Sequence, residues 1–145
     1  MRITIEEVPD GEEESLTLRC RELTPQLVQL INSLKLGKGR LVGIDNEENV
    51  LLSPEDIYYI EAVDNKVFLY TKNKVYSSKY KLYEVEEQFG YTDLFRASKS
   101  VILNASKIKS VTPSLSGRFE ATLLNGERVI ISRQYVKRLR EILGV

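Results

Sequence analysis

The chain has 145 residues, of which 42% are hydrophobic and 29% charged, and this is the composition of a folded globular protein rather than a disordered one. Its 21 basic and 21 acidic residues balance, and it contains no histidine and a single cysteine. These counts exclude a histidine-based catalytic triad, a histidine metal site and an internal disulfide. They leave open an enzyme that depends only on Asp and Glu, but nothing in the sequence points to one, so we expect neither an enzyme nor a bound cofactor.

The first 38 residues predict a small unit of two strands and one helix. Apolar residues alternate in "RITIEEV" and "ESLTLRC", which are separated by the turn-like "PDGEEE". Thr24 and Pro25 predict the start of a helix whose apolar residues recur at helical spacing as far as Leu34. Such a unit buries too little surface to be stable alone. We expect it to mediate dimerisation or partner docking, or else to pack on the rest of the chain.

Residues 41–145 predict a second, mainly β domain of short antiparallel sheets and short helices. Strand-like stretches such as "RLVGI", "DIYYIEAV", "VFLYT" and "RVIIS" alternate with short turns rich in Asn, Asp and Lys. Apolar spacing predicts one helix over residues 80–89, ended by Gly90, and a final helix capped by Ser132. These helices are too few for a doubly wound sheet.

Charge is distributed unevenly along the chain. Residues 1–35 hold four basic and seven acidic residues, net −3, and residues 36–94 carry net −4. Residues 95–145 hold ten basic and only three acidic residues, net +7. Such segregation is typical of a basic face directed at a polyanion, although the acidic segments could also fold over the basic one and neutralise it.

Five stretches in a fixed order carry a resemblance to a known family. They are "DIYYIEA", "VFLYT", "YSSKYKLYEVEEQF", "FRASKSVILNASKIKSV" and "NGERVIISRQYVKRLREIL". This succession, over residues 52–143, resembles the LytTR DNA-binding domain. The resemblance implies a bacterial transcription regulator with short sheets of LytTR type, which reads DNA with loops instead of a recognition helix.

The same resemblance implies three DNA-contacting loops. In the family, one loop precedes the strand that here reads "VILN", one follows the strand "YIEA", and one joins the last strand to the last helix. Carried over to this chain, the loop residues are Asn65 and Lys66, then Ser98, Lys99 and Ser100, and finally Arg133 and Gln134. Such side chains suit the role, because Lys and Arg donate to guanine, Asn and Gln pair with adenine, and Ser bonds bases or phosphates.

Each candidate has a structural alternative when it is taken alone. Asn65 is in a predicted hairpin turn, where asparagine is common for its backbone geometry. Lys99 could be a solvated lysine, and Arg133 could pair with an acid. Asn104 is interpreted as a support for the end of its strand, and Arg96 could also be structural. The weaker candidates for phosphate contact are Lys79, Tyr80, Lys107, Lys137 and Arg138.

These observations favour a sequence-specific regulator that inserts loops into the grooves of double-stranded DNA at repeated sites, as a homodimer in the bacterial cytoplasm. The single Cys20 fits a reducing compartment, and no apolar run approaches the roughly 20 residues of a membrane span. The first 38 residues are too few for the receiver domain that family members often carry, so we do not expect phosphorelay control. At the family level, a small membrane protein is the expected partner. The alternative is an interaction module that binds a protein or ligand and not DNA.

Overall fold

The computed structural model describes residues 2–36 and 39–144, without the side chains of residues 32–36. This part of the chain forms ten strands and three short helices, which confirms the predicted mainly β fold. The helices are α1 (Pro25–Leu36), α2 (Leu82–Phe89) and α3 (Val136–Leu143). The strands are β1 (Leu41–Asp45), β2 (Glu48–Leu52), β3 (Ile57–Val63), β4 (Lys66–Thr71), β5 (Val75–Ser78), β6 (Leu94–Arg96), β7 (Val101–Asn104), β8 (Ile108–Pro113), β9 (Phe119–Leu123) and β10 (Arg128–Ile131).

The strands form two antiparallel sheets. The large sheet has the order β2-β1-β5-β4-β3-β7-β6, and the small sheet has the order β10-β9-β8. Ile60 of β3 lies opposite Leu69 of β4 on one side and Ile102 of β7 on the other. Because this register is antiparallel throughout, the β3–β4 turn and the loop between β6 and β7 lie at the same end of the large sheet. We call this the loop end.

Two hydrophobic clusters cover opposite faces of the large sheet. Along β7, Ile102 belongs to one cluster while Val101 and Leu103 belong to the other, as the two-residue period of a strand requires. The first cluster includes the apolar face of α2, and the second joins the large sheet to the small sheet and to Leu139 of α3. Strand β7 is therefore buried on both faces, which explains its continuous apolar run.

The N-terminal unit differs from its prediction. Residues 2–24 form no strand, and Ile3 and Ile5 of the first predicted strand are 81% and 88% exposed. The helix does form, and the Thr24 hydroxyl accepts a hydrogen bond from the Leu27 amide at 3.3 Å, as an N-cap does. Alternating apolar residues form a strand only where the edge of another strand is available for pairing. The prediction of two strands in this segment was therefore wrong. The predicted linker after α1 lies partly outside the described residues.

Contacts of α1 with the β domain are few among the described side chains. The Gln29 side chain donates to the backbone oxygen of Glu87 on α2. Leu27 and Ile31 are half-buried, whereas Val28 is still 38% exposed. The predicted apolar face of α1 is thus only partly covered in the single chain.

Two further differences concern the ends of elements. Strand β6 was not predicted, because three residues are too few to display the two-residue alternation of a strand. The last helix begins at Val136 after the 3-10 turn Arg133–Tyr135, and the Ser132 side chain makes no capping hydrogen bond. Within residues 2–36 and 39–144, none of the helices has the length and apolar character needed to cross a membrane.

Candidate nucleic-acid interface

Arg96 stabilises the β6–β7 loop by donating hydrogen bonds to its backbone oxygens. Its Nε donates to the backbone oxygen of Ser98 at 2.7 Å, and its Nη2 donates to the backbone oxygen of Lys99 at 2.6 Å. The third nitrogen, Nη1, is bonded to the carboxylate of Glu86 on α2. The planar guanidinium therefore fixes two successive loop carbonyls against a helix, which confirms the structural interpretation of Arg96.

Backbone hydrogen bonds tie the same loop to its neighbours. The amides of Ala97 and Ser98 both donate to the Val101 oxygen, at 2.9 and 3.2 Å. The Ala62 amide of β3 donates to the Ser100 oxygen at 2.8 Å, and the Ser132 amide donates to the Ala97 oxygen at 2.8 Å. The loop is thus fixed both to the large sheet and to the segment between β10 and α3.

Arg133 and Gln134 lie in the turn that precedes α3, and both side chains are exposed. The stem of Arg133 packs against the turn Leu115–Gly117, because a Cβ on Gly117 would lie 2.9 Å from the Arg133 Cδ. Gly117 has φ +75°, a conformation that favours glycine. Gly117 therefore lets the chain approach Arg133 closely, and the turn helps to position that side chain.

These segments line one surface cleft of about 460 Å³, which we call the basic cleft. It brings together five of the seven predicted DNA-contacting residues. Its lining residues are Ser98, Lys99, Ser100, Ser116, Arg118, Ser132, Arg133 and Gln134.

The basic cleft is positively charged. Its described lining contains three cations, Lys99, Arg118 and Arg133, and no carboxylate. Among the described residues, none of these three cations has a carboxylate partner within 4.0 Å. The alternative that Arg133 pairs with an acid thus has no support within the described part of the chain. An unpaired cationic concavity with several hydroxyl groups attracts phosphate and leaves arginine and lysine donors available to base edges.

Arg118 is a cleft residue that the sequence did not predict. It follows the turn Leu115–Gly117 and precedes β9, and its side chain is exposed. The glycine before it in "SLSGR" is a local sign of a tight turn in this segment. The approach of that turn to the β6–β7 loop depends on the pairing of β9 with β10, which no local pattern reveals.

The β3–β4 turn lies at the loop end but does not line the basic cleft. Asp64 and Asn65 have φ values of 50° and 63°, the left-handed pair expected of a two-residue hairpin turn. This backbone geometry is a sufficient reason for asparagine at position 65. Lys66, the first residue of β4, is exposed at the same end. The turn is therefore a separate contact point beside the cleft.

The five weaker candidates are dispersed. Lys79 is exposed and follows β5 at the loop end, whereas Tyr80 is half-buried and meets Phe89 edge to face, with ring centroids 6.2 Å apart. Lys107 is at the opposite end of β7, with its ammonium 5.2 Å from the centre of the Tyr58 ring. The remaining two, Lys137 and Arg138, are exposed on α3, and Arg138 lies 3.4 Å from Glu141.

Asn104, at the end of β7, is a structural residue, as predicted. It is 1% exposed, and its side-chain nitrogen donates to the backbone oxygens of Ile57 at 2.7 Å and Pro54 at 3.1 Å. Its side-chain oxygen accepts from the Ser106 amide at 3.0 Å and from the Ser106 hydroxyl at 2.7 Å. Asn104 therefore joins three segments and has no polar atom left for DNA.

A neighbouring cleft shares Ser98, Arg118 and Ser132 with the basic cleft, and its lining also holds Tyr59, Arg128 and the carboxylate of Glu61. The Tyr59 ring stacks on Tyr70 with ring centroids 4.2 Å apart, and the Tyr70 hydroxyl lies 3.5 Å from Glu61. Burial raises the pKa of Tyr59 above its ordinary value, and a hydrogen bond to Glu127 adds to the effect. Burial also raises the pKa of Tyr70, with Glu61 contributing. The described lining of the neighbouring cleft therefore carries charges of both signs, whereas that of the basic cleft carries only cations.

A family model and a solved structure match this chain. The model described as LytTr DNA-binding domain matches residues 47–144. The fold is similar to a solved structure described as "LytTr DNA-binding domain of putative methyl-accepting/DNA response regulator from Bacillus cereus", with a TM-score of 0.69 and 28% sequence identity. The similarity covers 75% of this chain and 100% of that one.

Longer proteins also resemble the chain. Sensory transduction protein LytT of Enterococcus faecalis is 29% identical over 138 residues, which cover 92% of this chain and 57% of that protein. Transcriptional regulatory protein YpdB of Escherichia coli K12 is 26% identical over 104 residues, which cover 70% of this chain and 43% of that protein. The chain therefore spans about half the length of these relatives.

Proposed function

The chain belongs to the LytTR family of DNA-binding domains, and on that premise we propose that it is a transcriptional regulator that inserts loops into the grooves of specific DNA sites. The family is a class of DNA-binding regulator domains and not a class of enzymes, as the sequence predicted. The observation that carries the proposal is the basic cleft, where three segments from separate parts of the chain converge around cations that have no carboxylate partner among the described residues.

The cleft supports a division of roles among its side chains. Lys99 and Arg133 are long donors that suit the O6 and N7 atoms of guanine, and Gln134 can pair with adenine in the major groove. Ser98 and Ser100 flank Lys99 and suit phosphate oxygens. Because Arg96 holds the backbone of the β6–β7 loop, that backbone needs little ordering on binding, which favours affinity.

The turn residues Asn65 and Lys66 form the third proposed contact. They lie at the loop end with the β6–β7 loop, to which β3 is bonded through Ala62 and Ser100. We assign them to an adjacent stretch of the DNA rather than to the bases read by the cleft. Lys79 and Lys137 are proposed phosphate contacts at the margins. The half-buried ring of Tyr80 and the position of Lys107 make those two weaker candidates.

We also propose that two copies bind repeated sites as a homodimer and that residues 1–38 mediate this association or dock a partner. The net charge of −3 over residues 1–35 would be repelled by phosphate, so this unit should face away from DNA. Its apolar side chains support an association role, since Ile3, Ile5 and Leu16 are 81%, 88% and 71% exposed. The competing possibility, supported by the bond from Gln29 to Glu87, is that the unit belongs to the β domain.

The cytoplasm is the proposed location, and a small membrane protein is the partner that the family resemblance implies. Co-purification of the full chain from cells, with and without detergent, tests that partner. Recovery of a single small protein only from the detergent extract supports it, and recovery of the chain alone from both extracts contradicts it.

Selection of DNA from a random pool tests the central function. The proposal predicts a repeated motif whose two halves are separated by about one helical turn, 10 to 10.5 base pairs for side-by-side copies. Affinity for the selected duplex should fall steeply as salt rises, because bound cations displace counterions from phosphate. Recovery of no motif, with weak binding that is insensitive to salt, would favour the alternative of a protein- or ligand-binding module.

A further inference from the structure

An exposed leucine directly precedes a lining residue of the basic cleft. Leu115 opens the turn Leu115–Gly117, and its side chain is 83% exposed. The next residue, Ser116, lines the cleft together with Arg118. Single exposed leucines are ordinary on protein surfaces, and Leu124 in the β9–β10 turn is another, at 57%. What distinguishes Leu115 is its place beside the proposed DNA-contacting side chains.

The turn that contains Leu115 is stabilised by its own backbone hydrogen bonds and by packing against Arg133. The Ser114 amide donates to the Arg118 oxygen at 2.8 Å, and the Arg118 amide donates to the Leu115 oxygen at 3.3 Å. Gly117 of the same turn lies against the stem of Arg133. Leu115 is therefore fixed relative to Arg133, and a contact that it makes on DNA costs little ordering of the backbone.

We propose that Leu115 contacts the C5-methyl group of a thymine in the major groove and makes the protein select thymine at one position of its site. The inference rests on the proposed DNA-binding function. Leucine can neither donate nor accept a hydrogen bond, and the thymine methyl is the apolar group that base pairs present in that groove. The polar cleft residues cannot read this group, so Leu115 adds a preference that they do not supply.

The proposed contact between Leu115 and thymine can be distinguished by experiment from the contacts of the polar cleft residues. Burial of one methyl group against Leu115 contributes selectivity without neutralising a phosphate. Loss of the leucine should therefore weaken binding to the correct site but leave the dependence of affinity on salt unchanged. Loss of a phosphate-contacting lysine would instead reduce that salt dependence.

The test combines a protein variant with a change of one methyl group in the DNA. In the duplex selected by the wild-type chain, each thymine is replaced in turn by uracil, which removes the methyl group alone. One replacement should weaken wild-type binding by about fourfold, the value of one buried methyl group. Leu115→Ala should bind the thymine duplex about fourfold more weakly and should lose no further affinity with uracil at that position.

Leu124→Ala is the matched control, since Leu124 is exposed in a turn at the opposite end of β9. It should bind as the wild type does and keep the full effect of the uracil replacement. The proposal is overturned if Leu115→Ala binds like wild type, if Leu124→Ala is equally weakened, or if each uracil replacement costs both proteins the same factor. Failure of the regulator function itself looks different, because the wild-type chain would then select no duplex.

Discussion

The Nη2 atom of Arg96 lies 2.6 Å from the backbone oxygen of Lys99, and this bond determines how the β6–β7 loop is presented. A second bond, from Nε to the Ser98 oxygen at 2.7 Å, uses the same guanidinium. Lys99 is thus held through its main chain, and its side chain remains exposed. The polar, basic loop beside the apolar strand β7 is an ordered structure whose internal carbonyls are already satisfied.

Arg96→Lys should weaken specific DNA binding although it preserves charge. A lysine ammonium cannot hold two adjacent carbonyls and the Glu86 carboxylate in the planar fork that Arg96 provides. We expect a loss of about 1–2 kcal/mol in folding stability and a larger loss of affinity for the selected site than for unrelated DNA. Arg138→Lys, at an exposed arginine on α3, is the control and should change neither. Equal losses of specific and unspecific affinity for Arg96→Lys would contradict the positioning role.

Lys99→Ala and Arg133→Ala should each cost about 1–3 kcal/mol of binding free energy and relax the preference at particular base pairs. Both residues line the basic cleft, whereas Lys137 lies on the exposed surface of α3. Lys137→Ala should weaken binding to all sequences about equally and reduce the salt dependence. Repeated DNA selection with each variant is the measurement. A base-reading role for Arg133 is wrong if its removal lowers specific and unspecific affinity by the same factor.

Gly117→Ala tests the contact between the turn Leu115–Gly117 and Arg133. The new Cβ would lie 2.9 Å from the Arg133 Cδ, so that side chain must move. Gly126→Ala is a matched control, because Gly126 also has positive φ, +88°, but has no atom within 4 Å of the added Cβ. Both variants should lose about 1–2 kcal/mol of stability from backbone strain. Only Gly117→Ala should also lose base preference, and an equal binding defect in Gly126→Ala would contradict this.

Asn104→Ala should destabilise the β domain without a direct effect on DNA recognition. It leaves the backbone oxygens of Pro54 and Ile57 and the Ser106 amide without their side-chain partner. Buried polar groups left without hydrogen bonds cost about 1–3 kcal/mol each, so a loss of about 2–4 kcal/mol in urea unfolding is expected. Asn125→Ala, in an exposed turn, should cost less than about 1 kcal/mol. Similar unfolding free energies for the two variants would show that Asn104 has no such role.

Removal of residues 1–39 should leave a folded domain that has lost self-association. The solved domain of similar fold matches 75% of this chain over its own full length, which supports independent folding of the β domain. A chain that begins at Arg40 should sediment as a monomer, recognise a half-site and lose cooperative binding to a double site. If it is insoluble or unfolded, the N-terminal segment belongs to the core and the proposed association role fails.

Local sequence patterns correctly predicted the elements that depend only on residues close together in the chain. The residues around Asn65 predicted the turn of the β3–β4 hairpin, and Thr24 predicted the start of α1. The strands around Ile3 and Leu16 failed because alternation indicates a strand only where a partner edge exists, and residues 2–24 pair with none among the described residues. The family resemblance supplied five of the eight cleft residues, since it carries the long-range order of strands that periodicity cannot provide.

The contacts that shape the cleft could not be predicted from the sequence, because they join residues that are far apart in the chain. Gly117 and Arg133 meet only after β9 and β10 have paired, and Arg96 reaches Glu86 only when α2 packs on the large sheet. Arg118 was missed because its position on the cleft follows from these pairings and not from its own neighbours. The residue types of the sequence indicated the chemistry of the site, but they did not indicate its geometry.

The most direct test of the proposed function is an NMR titration of the nitrogen-15-labelled full chain with the selected duplex. We propose that the basic cleft meets the DNA, and this proposal has a specific consequence for the spectra. It predicts that the amides of Lys99, Arg118 and Arg133 shift or broaden first, while those of Lys107 and Asn125, at the opposite end of the sheets, stay unchanged. Changes concentrated at Lys107 and Asn125, with the cleft amides unaffected, would contradict it.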